Sequence, residues 1–328
     1  MSEVAVEVAT LTETMEVYGL DFSPDGKHLA ATATLDGIEV HVWDWQGSES
    51  IVRKMNKGRG ALGIMSDPLK YSPDGHFLAA CHSRAGATGS VVVHIWDAET
   101  GEIAHSIAED SGACLGIGYT PDGQTLIRLE QVGPRGGESI IGYNLSKRLP
   151  DWGLRTKPFH PSTLAISADG RLAAVGGRIL GPEIPIQPQI LIVDLLKHAI
   201  IRTIDAFPIE NKVDSLAWHP DGIHVAAGAR VGGSAKGPDI VKIFDVTTGK
   251  LIVSEPAERP SQVFALRYSP DGKYLVESAV NSSIRIWDGR HQTLLQEIHG
   301  VATSLAFSRD GRFLAMGGDR KILIWKMK

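Results

Sequence analysis

The sequence has little of what several specialised protein classes depend on, beginning with cysteine. Only two cysteines, Cys81 and Cys114, occur in 328 residues, which excludes a disulfide framework and favours free thiols in a reducing compartment. No apolar run approaches the ~18 residues of a membrane-spanning helix, and the first residues lack the basic segment and apolar core of a signal peptide. We therefore expect a cytoplasmic protein without a membrane partner.

An excess of positive charge is also missing. Lysine and arginine number 33 against 38 for aspartate and glutamate, so the formal net charge is −5. Domains that bind nucleic acids usually carry a clearly basic surface. We therefore expect no nucleic-acid partner, although individual basic loops are compatible with this overall balance.

Linear motifs for catalysis and metal binding are missing as well. The sequence contains no His-Glu-x-x-His, no Cys-x-x-Cys and no Gly-x-Ser-x-Gly. The string from Gly58 to Gly63 matches the Gly-x-Gly-x-x-Gly of dinucleotide-binding proteins, but that motif requires a helix after the turn, and here a strand is expected. We therefore predict no catalytic residue, no metal ligand and no cofactor.

What the sequence does contain is one short segment in seven copies. The first copy is Phe22-Ser23-Pro24-Asp25-Gly26, in which proline presets the first turn position and Asp-Gly supplies a tight reversal between two strands. Subtracting the residue numbers of successive glycines gives spacings of 39 to 52 residues, a period typical of propeller repeats. The aligned glycines are Gly26, Gly75, Gly123, Gly170, Gly222, Gly272 and Gly311.

A second pattern follows each turn. Segments such as Val40-His41-Val42-Trp43-Asp44 are rich in β-branched and aromatic residues and usually end at a turn residue, as strands do. An apolar run directly after each Asp-Gly pair and an outer run such as residues 102–107 complete four strands per repeat. The pattern predicts an all-β protein, a seven-bladed β-propeller of four-stranded antiparallel blades.

These repeats resemble those of the WD-repeat family. The Trp-Asp pair stands at Trp43-Asp44, Trp96-Asp97 and Trp287-Asp288. The resemblance covers essentially the whole chain, and it implies a non-catalytic scaffold with protein partners. The Gly-His pair that usually opens a repeat is missing from nearly every copy, so the family's buried Asp-His-Ser-Trp network is not transferred to this chain.

The repeats also predict the domain organisation. Because residues 4–10 alternate like a strand before the first repeat, and the last repeat stops after its third strand, we expect this segment to pair with blade seven and close the ring. We predict a single domain over residues 1–328, expected as a monomer. The predicted blades lie near residues 17–55, 63–107, 113–155, 159–204, 212–255, 262–298 and 301–327.

Four consecutive blades contain long insertions between their second and third strands. The insertions cover residues 83–89, 130–138, 177–188 and 229–238, and a long link at residues 54–63 is expected on the same face. Insertions on one face of a repeat protein often mark a binding face. The predicted partner-binding residues on this face are Lys57, Arg59, Arg84, Arg135, Arg178, Arg230 and Lys236.

Three interpretations of these basic residues stay open at this point. They bind an acidic segment of a protein partner, since guanidinium groups match carboxylate geometry. Alternatively, they are solvated or form ion pairs with acidic residues of the same loops, and such exposed pairs contribute little stability. These acidic residues are Glu130, Glu138, Glu183 and Asp239. The third interpretation is a small anionic ligand at the channel mouth, as in the lactonase-like propellers that share these turns.

Overall fold

The structure is a computed structural model of the chain. It describes residues 3–13, 16–34, 38–47, 50–57, 68–83, 91–109, 113–131, 140–181, 184–208, 212–230, 239–256, 262–279 and 283–328. Every regular element within these ranges is a β-strand. No helix in the described part of the chain is long and apolar enough to cross a membrane.

The 28 strands form seven sheets of four. In chain order the strands are β1 (Ala5–Thr12), β2 (Val17–Phe22), β3 (His28–Thr34), β4 (Ile38–Asp44), β5 (Ser50–Lys57), β6 (Leu69–Tyr71), β7 (Phe77–Ser83), β8 (Val91–Asp97), β9 (Ile103–Glu109), β10 (Ala113–Tyr119), β11 (Thr125–Gln131), β12 (Ile140–Asn144), β13 (Leu149–Leu154), β14 (Phe159–Ile166), β15 (Leu172–Gly181), β16 (Ile184–Asp194), β17 (Ala199–Asp205), β18 (Lys212–Trp218), β19 (His224–Arg230), β20 (Asp239–Asp245), β21 (Leu251–Pro256), β22 (Val263–Tyr268), β23 (Tyr274–Ala279), β24 (Ser283–Asp288), β25 (Leu294–His299), β26 (Ser304–Phe307), β27 (Phe313–Gly318) and β28 (Lys321–Met327).

Each sheet is one blade, and its strands pair in the order in which they occur along the chain. Blades one to six are β2–β5, β6–β9, β10–β13, β14–β17, β18–β21 and β22–β25, while blade seven has the order β1-β28-β27-β26. The prediction of an all-β, seven-bladed propeller with four-stranded antiparallel blades is therefore confirmed.

The strands divide between two compact units, which are described separately. Ala5–Gly153 with Thr303–Lys328 contains blades seven, one, two and three, and Leu154–Ala302 contains blades four, five and six. Within each unit, apolar side chains of neighbouring blades pack together. In one such cluster Val241 and Ile243 of blade five contact Val263 and Tyr268 of blade six. That residues 1–328 form one domain stays a prediction.

The predicted pairing of the N-terminal strand with the last blade is confirmed. Strand β1 pairs antiparallel with β28, with Ala5 opposite Met327 and Thr12 opposite Lys321. The observed strand begins one residue later and ends two residues later than the predicted residues 4–10. A shift in register between Glu7 and Ala9 accommodates Val8 as an extra residue, and the buried side chain of Leu11 anchors the strand in the core.

The Asp-Gly turns explain why the same short segment occurs in every blade. In the first turn, the hydroxyl of Ser23 donates to Asp25 Oδ1 at 2.6 Å and accepts the N–H of His28 at 2.9 Å. Gly26 has a φ of +74°, which favours glycine. Ser72, Thr120, Ser167, Ser269 and Ser308 donate to the aspartate of their own turns in the same way.

The pKa of the aspartate is lowered in each of the seven turns. The serine or threonine hydroxyl contributes to this shift in six turns, and the ring of His224 contributes in blade five. In blade three the hydroxyl of Thr120 and the N–H of Gln124 donate to Asp122, and both bonds favour the ionised form. The charged carboxylate is therefore part of the folded turn.

An aromatic residue precedes six of the seven turns, with Ile166 in its place in blade four, and it belongs to the packed interior, as its fixed position in the repeat predicts. Phe22, Tyr71, Tyr119, Trp218 and Tyr268 are buried, and Phe307 is partly buried. The indole N–H of Trp218 donates to the carbonyl oxygen of Ala165 in the preceding blade at 2.9 Å. Cys81 and Cys114 are buried, and neither forms a disulfide.

The pairing of β1 predicts a contrast between two residues of that strand. Leu11 is 1% exposed, whereas Val8 is 46% exposed. We expect Leu11→Ala to lower the free energy of unfolding by roughly 2 to 5 kcal/mol through the lost packing and the cavity that remains. Val8→Ala should change it by no more than about 0.5 kcal/mol. Urea unfolding measures both, and equal losses would contradict the buried position of β1.

The turn carboxylates predict a dependence of stability on pH. Because the folded-state pKa of Asp122 is lowered, its contribution is present above the unfolded-state pKa of ~3.9 and is lost as the pH falls through the folded-state pKa. We expect Asp122→Asn to be less stable than the wild type near neutral pH.

Urea midpoints measured from about pH 7 to about pH 2.5 test this sign, because the difference between the two proteins should shrink below about pH 4. A difference that stays constant over the whole range would show that ionisation of Asp122 does not stabilise the turn.

Candidate functional site

The seven basic residues predicted to bind a partner are described to different extents. Arg178 is the one whose side chain the structure describes. Lys57 and Arg230 are the last residues of β5 and β19, so only their backbones are placed. Outside the described residues lie Arg59, Arg84, Arg135 and Lys236. That the seven form one site stays a prediction.

Arg178 lies in the part of blade four that was predicted to be a loop, and this prediction is wrong. β15 has 10 residues and β16 has 11, and Arg178 pairs with Pro188 and Gly181 with Ile184. The second and third strands of the other blades have 5 to 7 residues. We call residues 178–181 and 184–188 the blade-four ribbon.

The physical reason for the ribbon is that proline is compatible with a strand at an edge. Proline lacks the N–H that an inner strand must donate, so it occurs where one side of the strand has no neighbour. β17 pairs with β16 only as far as Gln189, opposite Asp205. Pro185 lies beyond that point, and at Pro188 the neighbouring Ala206 donates its N–H to the proline carbonyl oxygen at 2.9 Å, a bond that requires no N–H from proline.

The ribbon holds Arg178 between two neighbouring strands. His160 of β14 lies opposite it on one side and Pro188 of β16 on the other, and the arginine is partly buried. The adjacent Gly177 allows this close approach, because a Cβ atom there would lie 2.2 Å from the carbonyl oxygen of His160. The backbone of Arg178 is therefore fixed by pairing on both sides.

The acidic alternatives predicted for the basic residues are only partly described. Glu130 is buried and forms an ion pair with Arg128, at 2.6 Å between Nε and Oε1. Glu183 and Glu138 lie outside the described residues. Glu130 is therefore matched by an arginine of its own strand, one that the sequence analysis did not consider.

A cavity lies between blades five and six, at the Asp-Gly end of the strands. Its volume is about 420 Å³. Apolar side chains of both blades form part of its wall, and polar groups line the rest. The lining residues are His219, Asp221, His224, Ile243, Ile252, Val253, Tyr268, Gly289, Arg290 and Gln292.

Three of these residues belong to the Asp-Gly turn of blade five, which differs from the other six turns. His219 stands where the other blades have serine or threonine. Its Nδ1 lies 3.0 Å from Asp221 Oδ2, and the Nδ1 of His224 lies 2.7 Å from the same oxygen. Their ligand atoms all lie within 4.8 Å of one another, a spacing that suits a metal ion.

Burial raises the pKa of Asp221, but hydrogen bonds more than offset this effect. The ring of His224 and the N–H groups of Ile223 and His224 bond to the carboxylate, so its pKa lies below the usual value. The carboxylate is therefore ionised at neutral pH and available as an anionic ligand.

A second cavity, of about 310 Å³, occupies the corresponding place between blades one and two. There the turn contains Ser23, Asp25 and His28, with the same Asp-x-x-His spacing as blade five. Ser23 donates to Asp25, so this turn offers one imidazole where blade five offers two. Blade one is thus an internal comparison for blade five.

The sequence analysis missed this cluster although a signal for it was present. Aligned on glycine, the seven turns have Ser, Ser, Thr, Ser, His, Ser and Ser at the same position. A search for established metal motifs does not detect one residue that differs from its counterparts in the other repeats. The prediction that no residue binds metal rested on that search.

Comparisons with known proteins agree with the repeat pattern. The family model described as WD domain, G-beta repeat, matches residues 6–44, 250–288 and 292–326. The first matched segment begins in β1, the outer strand of blade seven, and ends with β4, the third strand of blade one. The other two segments likewise begin at or near the outer strand of one blade and end with the third strand of the next. The sequence unit is therefore offset from the structural blade by one strand.

The relatives are much longer proteins. Echinoderm microtubule-associated protein-like 3 from Homo sapiens is 26% identical over 330 residues, which cover 93% of this chain and 32% of the relative. Echinoderm microtubule-associated protein-like 1 from Rattus norvegicus is 23% identical, with 94% of this chain and 40% of the relative covered. Transcription initiation factor TFIID subunit 5 from Caenorhabditis elegans is 27% identical over 35% of this chain and 17% of the relative.

Proposed function

Because this chain belongs to the WD-repeat β-propeller family, we propose that it is a non-catalytic scaffold that binds proteins. We propose further that the partner docks on the face that carries the insertions of blades two to five. The observation that carries this proposal is the blade-four ribbon, which extends beyond the sheet on that face with Arg178 at its base.

The ribbon offers a partner two kinds of contact. Beyond Ile179, opposite Phe159, β15 has no further pairing with β14, and β16 has none with β17 beyond Gln189. The carbonyl oxygen of Pro188 accepts the N–H of Ala206, but within the described residues the rest of both outer edges of the ribbon presents backbone groups, which a peptide strand recognises by pairing. Arg178 adds a guanidinium group, which binds carboxylates with two parallel hydrogen bonds.

The chemistry of these contacts favours a partner with an acidic segment. Lys57, Arg59, Arg84, Arg135, Arg230 and Lys236 are proposed to share the face with Arg178, as their positions in the repeats predict. Because the longest matches are to echinoderm microtubule-associated protein-like relatives, microtubules are the first partner to test. A monomer in the cytoplasm is the accompanying proposal, and two buried cysteines without a disulfide agree with a reducing compartment.

The test is a binding assay with matched arginine variants. The purified chain is immobilised, and partners are captured from microtubule preparations and from lysate of the source cells. We expect Arg178→Ala to weaken retention about tenfold, the loss of roughly one charge-assisted hydrogen bond. The triple variant Arg84→Ala, Arg178→Ala, Arg230→Ala should weaken it further.

Arg171→Ala is the matched control, because Arg171 lies at the opposite end of the same hairpin and is exposed. Circular dichroism checks that each variant is folded. Equal retention by the wild type, Arg178→Ala and the triple variant would refute the proposed face. If the wild type retains no protein but binds small carboxylates or phosphates, the anionic-ligand alternative replaces the scaffold.

A further inference from the structure

The turn of blade five brings together three side chains of the kinds that bind transition metals. The sequence His219-Pro220-Asp221-Gly222-Ile223-His224 places two imidazoles and a carboxylate within six residues. In five of the other six turns the first of these positions is serine, and in blade three it is threonine. The hydroxyl of the common turn is thus replaced by a stronger metal ligand.

The distances between these groups suit one ion. Ligand atoms about 2.0 to 2.1 Å from a tetrahedral Zn²⁺ lie roughly 3.3 Å from one another. In blade five, Asp221 Oδ2 lies 3.0 Å from His219 Nδ1 and 2.7 Å from His224 Nδ1. Since all three ligand atoms lie within 4.8 Å of one another, small side-chain rotations are enough to place them around a metal.

The carboxylate is held in a suitable orientation by the turn itself. Asp221 Oδ1 accepts the N–H groups of Ile223 at 2.8 Å and His224 at 3.1 Å. These two bonds leave Oδ2 as the oxygen that faces the two rings. One oxygen thus stabilises the turn while the other is available to an ion.

The next blade positions the ring of His219. Tyr268 packs edge-on against it, with 4.9 Å between ring centroids. Its Nε2 lies near Gly272, where a Cβ atom would be only 2.8 Å away. Nδ1 is the nitrogen directed toward Asp221, where it accepts the N–H of that residue at 3.2 Å, and a bound metal ion would take the place of this bond.

We propose that His219, Asp221 and His224 bind a divalent transition-metal ion, with Zn²⁺ as the best match. Two imidazole nitrogens and one carboxylate oxygen are ligands that Zn²⁺ accepts, whereas Ca²⁺ and Mg²⁺ prefer oxygen alone. Three protein ligands leave a fourth position of the tetrahedron open. That position faces the cavity of about 420 Å³ beside Arg290 and Gln292, where water completes the coordination.

This site does not depend on the proposed scaffold function. It lies at the Asp-Gly end of the strands, whereas Arg178 and the blade-four ribbon lie at the other end of theirs. Loss of metal and loss of partner binding are therefore separable by mutation.

The experiment measures metal binding to the full chain without an affinity tag. The protein is treated with chelator, exchanged into metal-free buffer and titrated with Zn²⁺ in a calorimeter. Co²⁺ serves as a spectroscopic substitute, because its visible absorption reports a four-coordinate site. We expect one Zn²⁺ per chain and a rise in Tm with Zn²⁺ concentration, since the ion binds the folded state.

Two variants remove one ligand each. His219→Ser restores the residue that most other blades have at this position and is therefore expected to fold, and His224→Ala removes the second imidazole. Both should lower the affinity for Zn²⁺ at least about tenfold. His28→Ala is the matched control, because His28 holds the place of His224 in the blade-one turn, and it should bind Zn²⁺ like the wild type.

Either of two results would overturn the proposal. One is a wild-type chain that shows no saturable Zn²⁺ binding. The other is binding of equal affinity in the wild type, His219→Ser and His224→Ala, which would assign the ion to other residues. Circular dichroism of each chain without metal separates a lost ligand from a lost fold.

Discussion

The hydrogen bond from a serine or threonine hydroxyl to the aspartate two residues later is the contact on which the blades depend. In the first turn the hydroxyl of Ser23 donates to Asp25, and it also accepts the N–H of the first residue of the next strand, His28. The turn therefore satisfies its own polar groups. Each such bond contributes only about 1 kcal/mol, but it sets the register of the hairpin before any other blade is in place.

Because six of the seven turns share this contact, a different residue at this position in the remaining turn indicates a different chemical role. Blade five keeps the aspartate and the glycine but replaces the hydroxyl by the imidazole of His219. The N–H of His224, whose counterpart His28 donates to the serine hydroxyl in the first turn, donates here to Asp221 Oδ1 at 3.1 Å, so the turn is preserved by a different acceptor. A repeat of this kind tolerates a new functional group where another side chain of the same turn can satisfy the backbone.

The repeat pattern was sufficient to predict the sheets but not every local structure. The spacing of the glycines predicts seven blades. The alternation of residues 4–10 predicts the pairing of β1 with β28, because the side chains of a strand point to alternate faces with a period of two residues. Residues 177–188 were predicted as an insertion between the second and third strands, whereas β15 and β16 continue through most of it. Composition does not reveal that Pro185 lies beyond the pairing with β17, or that Pro188 only has to accept the N–H of Ala206.

The candidate sites were harder to predict, for a related reason. A metal site depends on the direction of side chains, and the direction of His219 is set by Tyr268 and Gly272, some 50 residues further along the chain. No short motif contains that information. For the basic face, the sequence places Arg178 beside an insertion, but only the pairing with His160 and Pro188 shows how its backbone is held.

The pairing of β1 with β28 has a consequence for how the protein is made. On the ribosome, Ala5–Thr12 is synthesised before its partner Lys321–Met327, and residues 13–320 lie between the two strands. Until those residues and β28 have been made, β1 has an unpaired edge, a feature that invites incorrect association. The alternation that buries Leu11 while leaving Val6 and Val8 exposed must therefore be compatible with exposure to solvent during that time, and blade seven is completed after the other six blades.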